Sequence, residues 1–512
     1  MRWIRNGFGR FVCCFAACAG GMRAGHPAFE GLDAETQAVL GIFEEISRVP
    51  RCSGHEAAIG RWLTEWGKAH GFRVDGDRGG NVFIRVPATP GRETAPGIIL
   101  QAHMDMVCQK DPASPHDFSK DPITLLRDGD WLKADRTTLG ADDGIGMAVA
   151  LSIALDPGIA HPPLELMFTT GEETTGLGVD TLERANIDGK VLINLDSEEE
   201  GMLIIGDASS TRSTITALLE SEALPPDLQV FTLRVDGLRG GHSGLDILKP
   251  RANAIKVAAR ALDALQTAAG ARLVAIQGGT ARNAIPRTAE VRIALAPGAG
   301  DQALGILRDL EAAIRKECGS EDPDLRLSLE PDGGARPGTA FRGDATARLA
   351  ALLLALPNGV AGMDARFPGI PETSNSLGII ESDSTGVVVQ SMQRGSVASR
   401  LDELGRKISA AAASAGASAN TSAARSPWLT APDADVVRRC KAAYARVFGH
   451  APAVSVIHGG LECSGISRKG GGLDTVSIGP TLQNPHSPAE RVFIPSVKKV
   501  RDLLVAVLED YR

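Results

Sequence analysis

Nowhere in this chain do two cysteines stand at the spacing of a thiolate metal site. Three of the eight, Cys13, Cys14 and Cys18, crowd the first turns of the chain, and Cys52, Cys108, Cys318, Cys440 and Cys463 are widely scattered. Without a CxxC pair the sequence suggests neither a thiolate zinc site nor a disulfide framework, and reduced, mostly buried thiols are expected. A basic surface is lacking too: the formal net charge is −8, which argues against nucleic acid and against an anionic membrane as partner. Beyond the N-terminus no apolar run reaches the ~18–20 residues that a membrane span needs. Aromatic residues are sparse at 4%, whereas Gly and Ala are plentiful. What remains, 43% hydrophobic and 23% charged, is the balance of an ordinary globular protein. At 512 residues the chain is too long for one core, since domains run to roughly 100–200 residues; two or three structural units are expected.

The N-terminus stands apart. Arg2, Arg5 and Arg10 precede an apolar run from Phe11 to Ala19, with Gly20 and Gly21 after it, the outline of a secretory signal. Phe15-Ala16-Ala17-Cys18 resembles a bacterial lipoprotein cleavage site. The other reading is an extension upstream of a functional start at Met22, and the rest of the chain is similar to a cytosolic enzyme. Residues 1–21 are therefore set apart; a cytoplasmic location is expected, with the cell envelope as the alternative.

Helical periodicity runs from Asp33 to His70, broken at Pro50 and Gly54. Residues 81–86 and 97–102 read as strands, the second a nearly continuous apolar run ending in His103, as a strand buried on both faces would be. A helix is expected over Gly144–Leu155, a strand over Leu164–Thr169, a helix over Val179–Ala185 and a strand over Val191–Leu195. That alternation predicts a parallel, doubly wound sheet with helices on both faces. After Gly206 the texture changes to strands at 211–218, 229–235 and 289–296 with helices over Arg251–Ala268 and Asp301–Arg315, a separate α+β unit. The Ala/Ser-rich tract 409–424 reads as a helix end and an extended return segment. The αβ texture resumes with a helix at 434–448, so the middle unit looks inserted into the first.

Acids and histidines concentrate in five short segments, and four of them follow a predicted strand. In Gln101-Ala102-His103-Met104-Asp105, residues two apart in an extended chain share a face, so Asp105 can fix the tautomer of a metal-ligating His103. Gly140-Ala141-Asp142-Asp143-Gly144 precedes a helix, where an acid is by default a cap. Glu172 and Glu173 follow a buried strand, and Asp196 the next one; Glu198 to Glu200 read as a solvated acidic run. His486 lies in a rigid loop, 479–487, rich in Pro and Gly. Each segment alone is weak. Together they fall at the carboxyl ends of strands, where open α/β sheets build their sites. Two imidazoles and three carboxylates suit zinc or a related divalent ion, and five ligands suit two ions if one carboxylate bridges and a water or hydroxide completes the site. One of the paired glutamates is then left as general base.

The segments LQAHMDMV, LGADDGIGMA, INLDSEEEG, GGHSGLDI, GGTARNAIPR, SNSLG, HGGLECSG and SIGPTLQNPHSP resemble, in this order, the aminoacyl-histidine dipeptidase (cytosol non-specific dipeptidase) family of the zinc aminoacylase/carboxypeptidase superfamily. The likeness runs from about Asp33 to the C-terminus. It implies an α/β fold, with a doubly wound mixed sheet in the catalytic domain (22–209 and 428–512) and an inserted α+β lid domain (210–427) that also dimerises the chain. It implies His103 and Asp196 on one metal, Glu173 and His486 on the other, Asp142 bridging, Asp105 orienting His103 and Glu172 as base. A cis bond between Asp142 and Asp143 is expected. His242 becomes a candidate for polarising the scissile carbonyl, and Arg282, Asn283 and Asn375 for contacts with the substrate's polar ends. His458 and Glu462 lie in a Gly-rich loop that lines the pocket. Asp143 departs from the Asn frequent in relatives, and Gly171 from the usual TxTEE form; neither removes a ligand. The implied activity is hydrolysis of unblocked dipeptides, Xaa-His among them, by two Zn2+ ions, with Mn2+ or Co2+ as substitutes. The alternatives are an N-acyl-amino-acid deacylase or carboxypeptidase with the same metal site, and a non-catalytic metal-binding protein.

Overall fold

The computed structural model describes residues 26–424 and 427–512; the expectations for residues 1–21 lie outside them. The first helix, Ala34–Ser47, starts where Asp33 accepts the Thr36 N–H at 2.9 Å, a side-chain cap worth about 1 kcal/mol. It buries Val39, Leu40, Phe43 and Ile46, the stripe its periodicity predicts. These side chains meet a sheet of eight strands ordered 73–76, 82–86, 164–169, 98–103, 191–194, 474–477, 202–204 and 453–455. The central neighbours 164–169, 98–103, 191–194 and 474–477 run parallel, and the 73–76 and 82–86 edge is antiparallel. The sheet is therefore mixed around a parallel centre.

Side-chain alternation sends each strand's residues to both faces. Ile98, Leu100 and Ala102 join the larger core under helices 34–47, 57–69, 141–155, 435–448 and 494–510. Ile99 turns to a smaller core with Phe83, Met167, Leu192 and Ile466. Burial on both sides is why residues 98–102 read as one apolar run. The helix expected over 179–185 is shorter than its pattern, Leu177–Thr181 followed by a single 3-10 turn at Arg184–Asn186.

Residues 209–421 build a second sheet of nine strands, antiparallel throughout, with helices 254–269, 300–318, 343–355 and 398–414 covering one face. The Ala/Ser-rich tract is the end of helix Ala398–Ser414 and the strand Ser418–Thr421, as read from sequence. This inserted lid approaches the first sheet at Gly244, where an added Cβ would stand 2.4 Å from the His458 carbonyl oxygen; only glycine permits that approach. Among the described residues no helix is long and apolar enough to cross a membrane.

One expectation is overturned. Cys52 and Cys108 are joined in a disulfide, with Cα atoms 5.6 Å apart, and not held as free thiols. Residue 52 bridges Met106, which brings the two cysteines together across 56 positions of chain. Cys318, Cys440 and Cys463 are free and buried, as expected.

Candidate metal centre

The parallel strands end at one edge, and their ends carry the chemistry. His103 is the last residue of its strand, Glu172 and Glu173 follow the 164–169 strand, and Asp196 follows 191–194. His486 comes from a loop pinned between the short strands 482–483 and 491–493, which pair with each other, the second pairing also with 131–134. Its φ of 60° is left-handed, a conformation uncommon for a residue with a Cβ and one that clusters at functional sites. Asp142 sits in the first turn of helix Ala141–Leu155, where it and Asp143 have non-helical backbone angles and the bond between them is cis.

His103 Nε2 stands 3.0 Å from Asp142 Oδ1 and 3.6 Å from Asp196 Oδ1. His486 Nε2 stands 3.0 Å from Asp142 Oδ2 and 2.9 Å from Glu173 Oε1. Asp142 thus turns one oxygen to each imidazole, the geometry of a bridge. Ligand atoms about 2.0–2.1 Å from a tetrahedral zinc lie roughly 3.3 Å apart, and these separations scatter around that figure. The groups His103–Asp142–Asp196 and Asp142–Glu173–His486 each gather their ligand atoms within 4.8 Å. The same span collects His103, Glu172 and Glu173, so Glu172 stands beside the ligands.

Electrostatics make the same demand for cations. Burial drives Asp196 up to about 7 and Glu172 well above the carboxylate range, and Glu173 and Asp143 rise for the same reason. Against its own burial, Asp142 is held well below the usual range by His103 and His486. His486 is lifted to about 11 by Asp142 and Glu173 although burial opposes it. Asp143 Oδ2 is buried without a hydrogen-bond partner, a cost that bound cations relieve. The donor set and its excess of buried negative charge fit divalent metal.

Asp105 is wholly buried and does more than face His103. Its Oδ1 lies 3.5 Å from His103 Nδ1 and accepts the Glu172 N–H at 3.1 Å, while Oδ2 accepts from Ser53 Oγ at 2.8 Å and Glu173 N–H at 3.3 Å. One carboxylate therefore ties the His103 strand to the loop of the paired glutamates.

Three comparisons bear on this arrangement. Residues 231–322 match the model of the peptidase dimerisation domain. The Escherichia coli (strain K12) cytosol non-specific dipeptidase is 36% identical over 474 residues, covering 93% of this chain and 97% of that protein. The chain belongs to the cytosol non-specific dipeptidase family. A solved aminoacylhistidine dipeptidase from Vibrio alginolyticus, 35% identical, superposes with a TM-score of 0.76 over 95% of this chain and 98% of that one. A probable carboxypeptidase from Arthroderma otae is 28% identical over 221 residues, 40% of this chain and 43% of that protein. The family carries the expected fold, an α/β catalytic domain with an inserted lid.

The structure brings His103, Asp105, Asp142, Glu172, Glu173, Asp196 and His486 together, and it separates three residues of the lid from them. Arg282 and Asn283 are exposed, with the Arg282 guanidinium on Gln390 Oε1. Asn375 is fully buried inside the lid sheet, donating to the Pro357 carbonyl and accepting from Gln393 Nε2 at 2.6 Å. Arg282 and Asn375 are thereby committed within the lid, and no hydrogen bond or ion pair among the described residues joins either of them, or Asn283, to the candidate ligands. His242 does approach: His486 and Arg394 both help burial to push it down to about 3.

Two residues, Glu198 and Arg394, have roles the sequence did not suggest. Glu198 is half-buried, and burial with the neighbouring Asp142 and Asp196 lifts it to about 8. Of the same run, only Glu199 is exposed, and Glu200 accepts from the Tyr444 hydroxyl at 2.8 Å. Arg394, in the lid strand Gly386–Gly395, is 6% exposed and donates to His242 Nε2 at 3.0 Å. It makes no ion pair among the described residues; Glu172 is near enough to raise its pKa, though burial pulls it down to about 10. Glu462 accepts from Gln101 Nε2 at 2.7 Å and from the Thr169 hydroxyl, one layer beneath His103. A cavity of about 480 Å3 lined by Glu172, Glu462, Asp207 and Arg212 opens beside the cluster. A larger depression of about 1600 Å3 lies outside, against helix 57–69 and His116, and holds none of the ligands.

Proposed function

We propose that this protein hydrolyses unblocked dipeptides, Xaa-His among them, with two divalent ions, Zn2+ by the character of the donor set. His103 and Asp196 would hold one ion, Glu173 and His486 the other, and Asp142 both; when bound, the ions supply Lewis-acid polarisation of the scissile carbonyl and an acidified water. Glu172 takes the proton from the attacking water and returns it to the leaving amine, the exchange a buried carboxyl of raised pKa performs. Asp105 keeps His103 in the ligating tautomer and holds the Glu172 backbone, so base and ligand move as one piece.

The observation that carries the dipeptide reading is Arg394. A buried guanidinium without an anionic partner is costly, and a substrate α-carboxylate would complete it. Arg394 and His242, presented by the lid, thereby replace Arg282, Asn283 and Asn375 as the expected contacts for the substrate's C-terminal end. A peptide one residue longer carries its carboxylate ~3.3–3.6 Å past that partner. The test compares kcat/KM for a dipeptide, its C-terminal amide and its one-residue extension at fixed metal. Comparable values for all three would refute carboxylate capture, and a preference for N-acylated amino acids would favour the deacylase reading.

We also propose domain bounds at 22–209, 210–427 and 428–512 and a homodimer formed through the lid, in keeping with the dimerisation-domain match. A cytoplasmic location accords with the name of the Escherichia coli relative. The Cys52–Cys108 bond favours the alternative, an oxidising envelope compartment, and fractionation of the producing cell decides between them.

A further inference from the structure

The metal ligands need their own support, and the most heavily bonded buried carboxylate near them is no ligand at all. Glu490 is 2% exposed. Its Oε2 accepts the N–H groups of Leu139 at 2.7 Å and Gly140 at 3.0 Å; its Oε1 accepts those of Ala141 at 2.7 Å and Asp142 at 3.4 Å. Three of these, on Gly140, Ala141 and Asp142, are unsatisfied N–H groups that open helix Ala141–Leu155. Gly140, at φ 68°, has no side chain to cap these groups, and Asp143, past the kink, accepts only the Gly146 N–H, at 3.2 Å. The cap comes instead from some 350 residues away along the chain, four positions after His486. From the other side the buried guanidinium of Arg51 donates to the Gly140 carbonyl and, at 3.0 Å, to that of Asp105. A Cβ at Gly140 would stand 2.5 Å from the same guanidinium, so the turn is closed on both sides.

We infer that Glu490 is a positioning residue which locks the bridging carboxylate Asp142 to the loop of His486, and that it sets the affinity of the metal site those two residues share with Glu173. The inference rests on the metal reading given above. Asp142 belongs to both sites, but only the second takes its other ligand from the loop Glu490 anchors. Loosening Glu490 therefore weakens the second ion more than the first. Outer partners of metal ligands are typically worth 10–100-fold in affinity.

The test is calorimetric titration of metal-stripped protein with Zn2+, comparing wild type with Glu490→Gln and Glu490→Asp. The Gln variant keeps the size but turns an N–H donor toward N–H donors; the Asp variant keeps the charge and shortens the reach. Both should bind one ion 10–100-fold more weakly and the other with a smaller change. Hydrolysis lost at low metal should return with excess Zn2+, with KM for a dipeptide unchanged. Should Glu490→Gln fail to fold, Glu490→Asp gives the same reading. Wild-type affinity for both ions in either folded variant overturns the inference, as does a fall in stability that leaves both affinities intact. Wild-type protein that binds no metal would instead overturn the metal reading itself.

Discussion

Replacing Arg394 by Met isolates carboxylate capture from every other part of the reaction. The side chain is 6% exposed and unpaired by any anion among the described residues, so Met fills comparable space and removes a costly buried charge; the protein should fold. In the complex with a dipeptide the loss is large. Removing one partner of a buried charge pair costs about 3–5 kcal/mol, and at 1.36 kcal/mol per decade kcat/KM should fall roughly 10²–10⁴-fold. A dipeptide amide never made the pair and should lose little. Arg394 also holds His242 Nε2 at 3.0 Å, and a disturbed His242 would slow both substrates alike. The ratio of dipeptide to amide therefore reports the carboxylate contact alone. It should collapse toward one in Arg394→Met, and Arg394→Lys should recover only part of it, because an ammonium lacks the planar fork. The assay is steady-state hydrolysis of one dipeptide and its amide by both enzymes at saturating Zn2+. Equal losses on the two substrates would refute the reasoning.

Glu172→Gln should abolish hydrolysis with metal content near that of wild type, whereas Glu173→Gln should lower bound metal, both read by elemental analysis; equal metal loss would reverse the two roles. His458, 4% exposed, sits 2.7 Å from Ser374 Oγ and is pushed down to about 4 by burial and Arg394. Its depressed pKa contributes stability that is present above the unfolded value of ~6.5 and lost as pH falls toward 4, on the order of 3 kcal/mol. Urea unfolding of His458→Asn across that window should show a shallower pH slope, and an unchanged slope would contradict the assignment. Reducing the Cys52–Cys108 bond, which closes a loop of 56 positions, should cost up to about 4 kcal/mol of unfolding free energy by chain entropy. Equal urea midpoints with and without reductant would count against it.

Much of the catalytic half was legible because its signals are local. Residues 98–102 betray a strand buried on both faces, and His103 and Asp105 share a face by the two-residue period of an extended chain. Asp142, Glu173, Asp196 and His486 each follow or flank an element whose end could be read. What the sequence alone determined is thus the order of the elements, the fold class and the candidate ligands gathered around the strand ends. Other features depended on which distant segments touch. Cys52 and Cys108 lack any paired spacing, and only the pairing of residue 52 with Met106 joins them. Glu198 reads as one of three solvated acids until the His486 loop closes over it. Arg394 is one arginine in a strand, distinguished only when the fold places it beside His242 and near Glu172. Glu490 looks like a surface acid beyond a proline, and becomes a helix cap because the C-terminal hairpin packs beside a turn that lacks one. Those contacts are set by the summed burial of two cores and not by any local pattern, so only the tertiary structure could decide them.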